Sequence, residues 1–191
     1  MKFFVYSSVD RGGEASIDTP TQVPHFISKH NIEQHLFAAT KGTPMDWTVL
    51  RPVAFFDNMT PDFLGRVFST WVQGLGEKKL QLVATTDIGT FAAKAFVDPE
   101  AYKGRMVGLA GDELSFKELK QTFKEVTGEE LGTTYTWLAG ILSWMLSDMN
   151  MMFKWFREVG YGVDVQQLRR EHPGLKDFKA WLETDSAFVK K

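Results

Sequence analysis

No cysteine occurs among the 191 residues. Disulfides, thiolate nucleophiles and cysteine-rich metal sites are thereby excluded, and a reducing compartment is compatible with the sequence. Neither sign of charge is in excess, since 22 basic against 24 acidic residues leave a formal net charge of -2. The chain therefore has no electrostatic footprint for a nucleic-acid backbone or an anionic membrane. No apolar run approaches the roughly 20 residues that span a bilayer, and the start has no basic region followed by a long apolar core. Histidines are few: His30 and His35 fall on different faces of one segment and His172 is isolated far downstream, so no metal site is expected. These absences leave a soluble intracellular protein as the expectation, in the cytoplasm with the nucleus also open, and without a direct nucleic-acid or membrane partner.

What is present is apolar and aromatic. A hydrophobic content of 43% and an aromatic content of 14% can bury one substantial core, and the length suits a single domain over residues 1–191. Near the start, Phe3-Phe4-Val5-Tyr6 is a short apolar run closed by Ser7-Ser8, which predicts a strand buried on both faces, as in the middle of a parallel sheet. Residues 10–24 are rich in Gly, Asp, Thr and Pro and predict a loop. Pro24 and Gly42 then bracket a helix of about four turns, and DWTVLRPVAFF follows as a second strand. Strand, helix and strand in that order make a parallel crossover unit.

The alternation continues more loosely. KLQLVAT (79–85) predicts a strand, DIGTFAAKAF (87–96) a short helix capped by Asp87, and RMVGLA (105–110) another strand. In SFKELKQTFKEVTG, Ser115 and Glu118 have capping-box spacing, Phe116, Leu119, Phe123 and Val126 form a stripe, and Gly128 ends the helix. A methionine-rich helical stretch spans 137–155, and LKDFKAWLE near the end predicts a short amphipathic helix.

Six segments in order carry a resemblance: FVYSS, VPHFISKHNIEQHL, WTVLRPVAFFDNM, TTDIGTFAAKAFVDPEAYKGR, LAGDELSF and REVGYGVDVQQLRREHP. Together they resemble the second half of an NmrA-like protein. This branch of the atypical short-chain dehydrogenase/reductases is built on a Rossmann fold and includes nitrogen-metabolite regulators, NADP(H) redox sensors and reductases. The resemblance implies NADP or NAD as cofactor. Members resembling this chain begin with a strand, a glycine-rich turn of the G-x-x-G-x-x-G type and a helix whose N-terminus holds the pyrophosphate. No such turn occurs here, because Gly12-Gly13 leads into a loop and Gly74 and Gly76 precede a lysine pair. The expectation is an α/β chain with a partial Rossmann-type parallel sheet, flanking helices and a helical C-terminal lobe, missing the N-terminal nucleotide-binding half. An exposed sheet edge, open to self-association or a protein partner, follows from that expectation.

In typical short-chain dehydrogenases a Ser polarises the carbonyl, a Tyr-x-x-x-Lys pair protonates it, and the Lys holds the nicotinamide ribose. Here Ser7 and Ser8 close the first strand at its carboxyl end, where open α/β sheets bind ligands, and the helix offers His25-x-x-x-Lys29. The Lys matches the pattern and the Tyr does not. The resemblance thus makes Lys29, His25 and Ser8 catalytic candidates, and Ser7, Lys29, Pro52, Val53 and Phe56 cofactor or pocket candidates. Helical spacing puts Lys29 on one stripe with Ile32 and Leu36, the face expected against the sheet. A lysine there either snorkels at the core edge or reaches a cleft. His25 has a suitable unperturbed pKa for a general acid, yet a capping or loop-packing role fits it equally. The stretch 51–58 either lines a pocket or is buried under the C-terminal lobe. ILSWMLSDMNMMFKWF reads first as core, and its methionines and aromatics could also line an apolar pocket for a small-molecule ligand. Two functions stay open: an NAD(P)-linked reductase or cofactor-sensing regulator, and a non-enzymatic remnant that is either a truncated pseudoenzyme or a ligand- or protein-interaction module.

Overall fold

A computed structural model describes residues 2–145 and 147–189. The first crossover unit forms as its pattern requires. Strand β1 (Phe3–Ser7) runs parallel to β2 (Asp46–Pro52), with Phe3 opposite Asp46 and Ser7 opposite Leu50. Helix α1 (Pro24–Thr40) makes the connection, with Pro24 as its first residue, where the missing N–H costs nothing. Strand β5 (Met106–Leu109) adds in parallel on the other side of β2, giving the order β1-β2-β5.

DWTVLRPVAFF is two strands rather than one. After Pro52 the chain leaves this sheet, and β3 (Ala54–Phe55) pairs in parallel with β4 (Leu80–Val83) in a second sheet. Proline lacks the N–H that a ladder needs, so it marks the point of transfer. Two backbone bonds stitch the sheets together: Val53 N–H donates to the Leu109 carbonyl at 3.1 Å, and Gly111 N–H to that of Leu82 at 2.8 Å. Strand β6 (Asp112–Leu114) closes the second sheet antiparallel to β4.

β1 differs from the sequence expectation in burial. Residues 3–6 are half-buried rather than buried on both faces. Its residues alternate normally: Val5 joins the apolar cluster of Leu50 and Phe91 on one face, and Tyr6 lies under α1 on the other. Among the described residues, however, β1 pairs only with β2, so its other edge has no ladder partner. At the end of α3 (Thr85–Val97), Phe96 packs edge-on against Phe3 of β1 with ring centres 6.1 Å apart, and Phe96 and Val97 are 59% and 85% exposed.

Two helix expectations need correction. α3 begins at Thr85 rather than at an Asp87 cap. The Asp57 carboxylate accepts both the N–H and the hydroxyl of Thr85, while buried Asp87 accepts the Lys176 N–H at 2.9 Å. In α1 the buried stripe is Phe26, Glu33, Leu36 and Thr40, and Ile32 is 47% exposed. Of the expected stripe, Leu36 is buried and Lys29 faces β1 beside Tyr6, whereas Ile32 is misplaced and Glu33 takes the buried position.

The rest forms a helical lobe over the second sheet. After short α4 (Pro99–Tyr102), α5 (Phe116–Thr127) starts on the expected capping box, with Ser115 N–H donating to Glu118 at 2.7 Å, and ends at Gly128 with a φ of 76°. The methionine-rich stretch carries α6 (Thr136–Met145) and α7 (Ser147–Glu158). α9 (Phe178–Thr184) matches the terminal amphipathic segment, whereas α2 (Phe63–Gln73) and α8 (Val165–Glu171) go beyond the sequence reading. No described helix is long and apolar enough to cross a membrane.

Candidate functional site

The loop leaving β1 is fixed by buried charge. Arg11, Glu33 and Arg51 are almost wholly buried, and both guanidiniums grip the one carboxylate. Arg11 donates to Glu33 at 2.8 and 3.3 Å, and Arg51 at 2.6 and 3.2 Å. Burial pushes the Glu33 carboxyl up, but the hydrogen bonds from Arg51 and Arg11 outweigh it and hold the group below its ordinary value. Arg11 is also satisfied by the carbonyls of Val9, Ser16 and Thr19. The cluster ties α1, β2 and the loop together, and so sets where Ser7 and Ser8 stand relative to Lys29.

The adjacent glycine pair serves the same loop. Gly12 and Gly13 adopt positive φ, and their N–H groups donate to the Asp10 carboxylate, as does that of Gly162. A Cβ on Gly162 would meet Gly12 and Gly13 backbone at 2.7 Å, so the two loops touch through glycine. These donors, the kind that can cradle phosphate, are occupied by the chain's own carboxylate.

Beside this loop, at the carboxyl ends of β1 and β2, lies a cavity of about 580 Å³. The end of β1 and α1 supply Ser7, Ser8, His25, Phe26 and Lys29, and the segment from the last residue of β2 through β3 supplies Pro52, Val53 and Phe55. The lobe supplies Leu64, Phe68 and Trp71 from α2, Met149 and Met152 from α7, and Tyr161. The lining is mostly aliphatic, aromatic and thioether, the composition of sites for apolar, flat ligands. The Tyr161 hydroxyl is pushed well above its ordinary pKa, chiefly by burial and then by the Asp10 charge, so it stays protonated.

Six of the seven sequence candidates come together here, and each is held differently. Lys29 Nζ donates to the Ser7 carbonyl at 2.8 Å and sits 5.3 Å from the centre of the Tyr6 ring. Its ammonium thus stands at the strand end. Ser8 lines the wall, but its hydroxyl is turned toward Arg11 at 3.4 Å. His25 Nδ1 lies 3.0 Å from Asp148 Oδ2 of α7, so the histidine bridges the sheet side to the lobe. Pro52 and Val53 form the turn wall.

Phe56 is the exception. It is fully buried and packs between Phe178 and Trp181 of α9, with ring centres 5.5 and 5.6 Å away. The 3-10 turn Phe56–Asn58 sends its ring into the core, and Phe55 takes the cavity position. Sequence reasoning also passed over Trp71, Tyr161 and Asp148. The methionine-rich stretch was the one signal for the lobe wall, and it does contribute Met149 and Met152. No group of three or more His, Asp or Glu side chains placed to hold a metal ion occurs among the described residues.

The sequence profile of the NmrA-like family matches residues 1–182. The chain belongs to that family. No curated protein matches it, but solved structures share its fold. The NmrA-like chain is 19% identical to an NADPH-dependent quinone oxidoreductase from Escherichia coli, with a TM-score of 0.65 over 96% of this chain and 67% of that one. For a triphenylmethane reductase from a Citrobacter species complexed with NADP(H), the values are 13%, 0.65, 96% and 65%. For NmrA, a negative transcriptional regulator, they are 14%, 0.63, 98% and 65%. The NmrA-like chain thus spans about two thirds of the length of the structures it matches.

Proposed function

We propose that this chain forms the nicotinamide and ligand side of an NAD(P)-linked protein of the reductase or cofactor-sensing regulator type. The observation that carries the reading is the Lys29 ammonium, fixed at the carboxyl end of β1 by the Ser7 carbonyl and bordering an apolar cavity of about 580 Å³. In open α/β sheets that is where a nicotinamide nucleotide and its substrate meet. Lys29 and Ser7 fit the ribose end, and Pro52 and Val53 fit the nicotinamide ring edge. The pyrophosphate has no such fit, because the Gly12 and Gly13 donors are taken by Asp10. Polypeptide beyond these 191 residues would hold it, and the open edge of β1 is the place for such a partner or for a second copy. NADPH dependence in the quinone oxidoreductase and the NADP(H) complex of the triphenylmethane reductase favour a nicotinamide cofactor here, NADP or NAD. A second reading, a ligand- or protein-interaction module without a dinucleotide, draws on the occupied glycine donors.

Reduced nicotinamide mononucleotide, which lacks the pyrophosphate link to adenosine, tests the first reading. Nuclear magnetic resonance titration should shift Ser7, Lys29 and Val53. Lys29→Ala should weaken binding by roughly 1–3 kcal/mol, the loss of a charged hydrogen-bond donor. His25→Ala should matter less for this ligand. Shifts scattered over the surface, or unchanged affinity in Lys29→Ala, would return Lys29 to a snorkelling role and favour the second reading.

A further inference from the structure

We infer that Asp148 is a positioning residue for His25, and that the pair makes the cavity selective for flat aromatic ligands carrying one hydroxyl or carbonyl oxygen. The inference rests on the cavity being a ligand site. His25 stands on the first turn of α1 and its ring borders the cavity. Its Nδ1 is 3.0 Å from Asp148 Oδ2, on a helix of the opposite lobe. In the neutral imidazole this carboxylate selects the tautomer with the proton on Nδ1, leaving the Nε2 lone pair without a protein partner among the described residues. A hydroxyl donating to Nε2 then meets an acceptor. When the ring is protonated, Nε2–H donates instead, and a carbonyl is recognised.

As an acceptor for a ligand hydroxyl, Nε2 cannot be replaced by Lys29, because an ammonium has no lone pair. Lys29, one turn along α1, gives one of its three donors to the Ser7 carbonyl, and the Ser8 hydroxyl faces Arg11. Around them the walls are aromatic, aliphatic and thioether, among them Phe26, Phe55, Trp71 and Met152. Such walls take a ring system and reject a hydrated, multiply charged one. The second Asp148 oxygen, Oδ1, has no partner among the described residues, while the side chain as a whole is 44% exposed.

Two measurements test the pair separately from the cavity. Long-range proton–nitrogen correlation spectra of the ligand-free protein should show neutral His25 protonated on Nδ1, with the balance moving toward Nε2 in Asp148→Asn. A wild-type His25 protonated on Nε2 would overturn the inference whatever the ligand. Next, 2-naphthol and 2-methylnaphthalene, matched in ring and size, are titrated by tryptophan fluorescence. Wild type should prefer 2-naphthol by about five- to tenfold, the value of one hydrogen bond. The preference should vanish in His25→Phe and shrink in Asp148→Asn, with 2-methylnaphthalene binding unchanged. A preference that persists in His25→Phe overturns the assignment of Nε2. Failure of both probes to bind wild type overturns the ligand selectivity by removing the cavity reading beneath it, while the tautomer still decides whether Asp148 positions His25.

Discussion

Glu33 shows how a single residue can hold the site and hide it. On α1 it occupies the centre of the buried stripe between Phe26 and Thr40, where hydrophobic patterning demands an apolar side chain. A glutamate there breaks the pattern, so the stripe through Lys29 and Leu36 is completed on paper by Ile32, which is exposed, and not by Glu33. The signal was available only in combination, since a buried acid requires buried bases, and Arg11 and Arg51 lie in the segments flanking α1. Removing the acid leaves two guanidiniums facing each other without a counter-charge. Glu33→Gln should therefore lower the unfolding free energy by about 3–5 kcal/mol in urea melts at neutral pH, and a loss below about 0.5 kcal/mol would contradict the account. The folded-state pKa of Glu33 is depressed. Its stabilisation is thus present above the ordinary carboxylate range near pH 4 and is lost as pH falls through the lower folded value. The wild-type advantage over Glu33→Gln should narrow accordingly in melts taken from pH 7 downward.

Individual elements were legible where local chemistry and tertiary need agree. β1, α1 and β2 announce themselves through aromatic and β-branched runs and through Pro24 and Gly42. The capping box of α5 is written in full, and the Glu118 carboxyl is lowered to about 2, first by the hydrogen bond from Lys79 and then by those from Ser115. Ser115→Ala should lower the thermal midpoint through a loss of about 1 kcal/mol, and an unchanged midpoint would show the cap to be redundant. α2 was harder to see because Gly65 interrupts its first turn. That glycine is forced by packing, since a Cβ there would meet the Thr60 carbonyl oxygen at 2.0 Å. The split at Pro52 needed a second sheet, which no run of residues in that segment specifies. Phe55 and Phe56 illustrate the consequence: two adjacent identical side chains point one to the cavity and one to the core, and only the 3-10 turn decides which.

Across the whole molecule, an unpaired strand edge sits beside an apolar cavity. The edge of β1 has no ladder partner among the described residues, and the exposed Phe96 packs on Phe3 of the same strand. Bare edges next to apolar surface are templates for pairing. Light scattering on the purified 191-residue chain should therefore give a mass above that of the 21.7 kDa monomer. A monodisperse monomer with an ordinary melting midpoint would show that the strand tolerates exposure. The division of labour between chain and partner is tested most directly by calorimetric titration of the same protein with NADPH. With the glycine donors committed to Asp10 and the ribose end alone available, binding should be weaker than about 1 μM, or roughly −8 kcal/mol. A sub-micromolar dissociation constant would mean that these 191 residues anchor the dinucleotide by themselves, contradicting the proposed reliance on polypeptide beyond the chain.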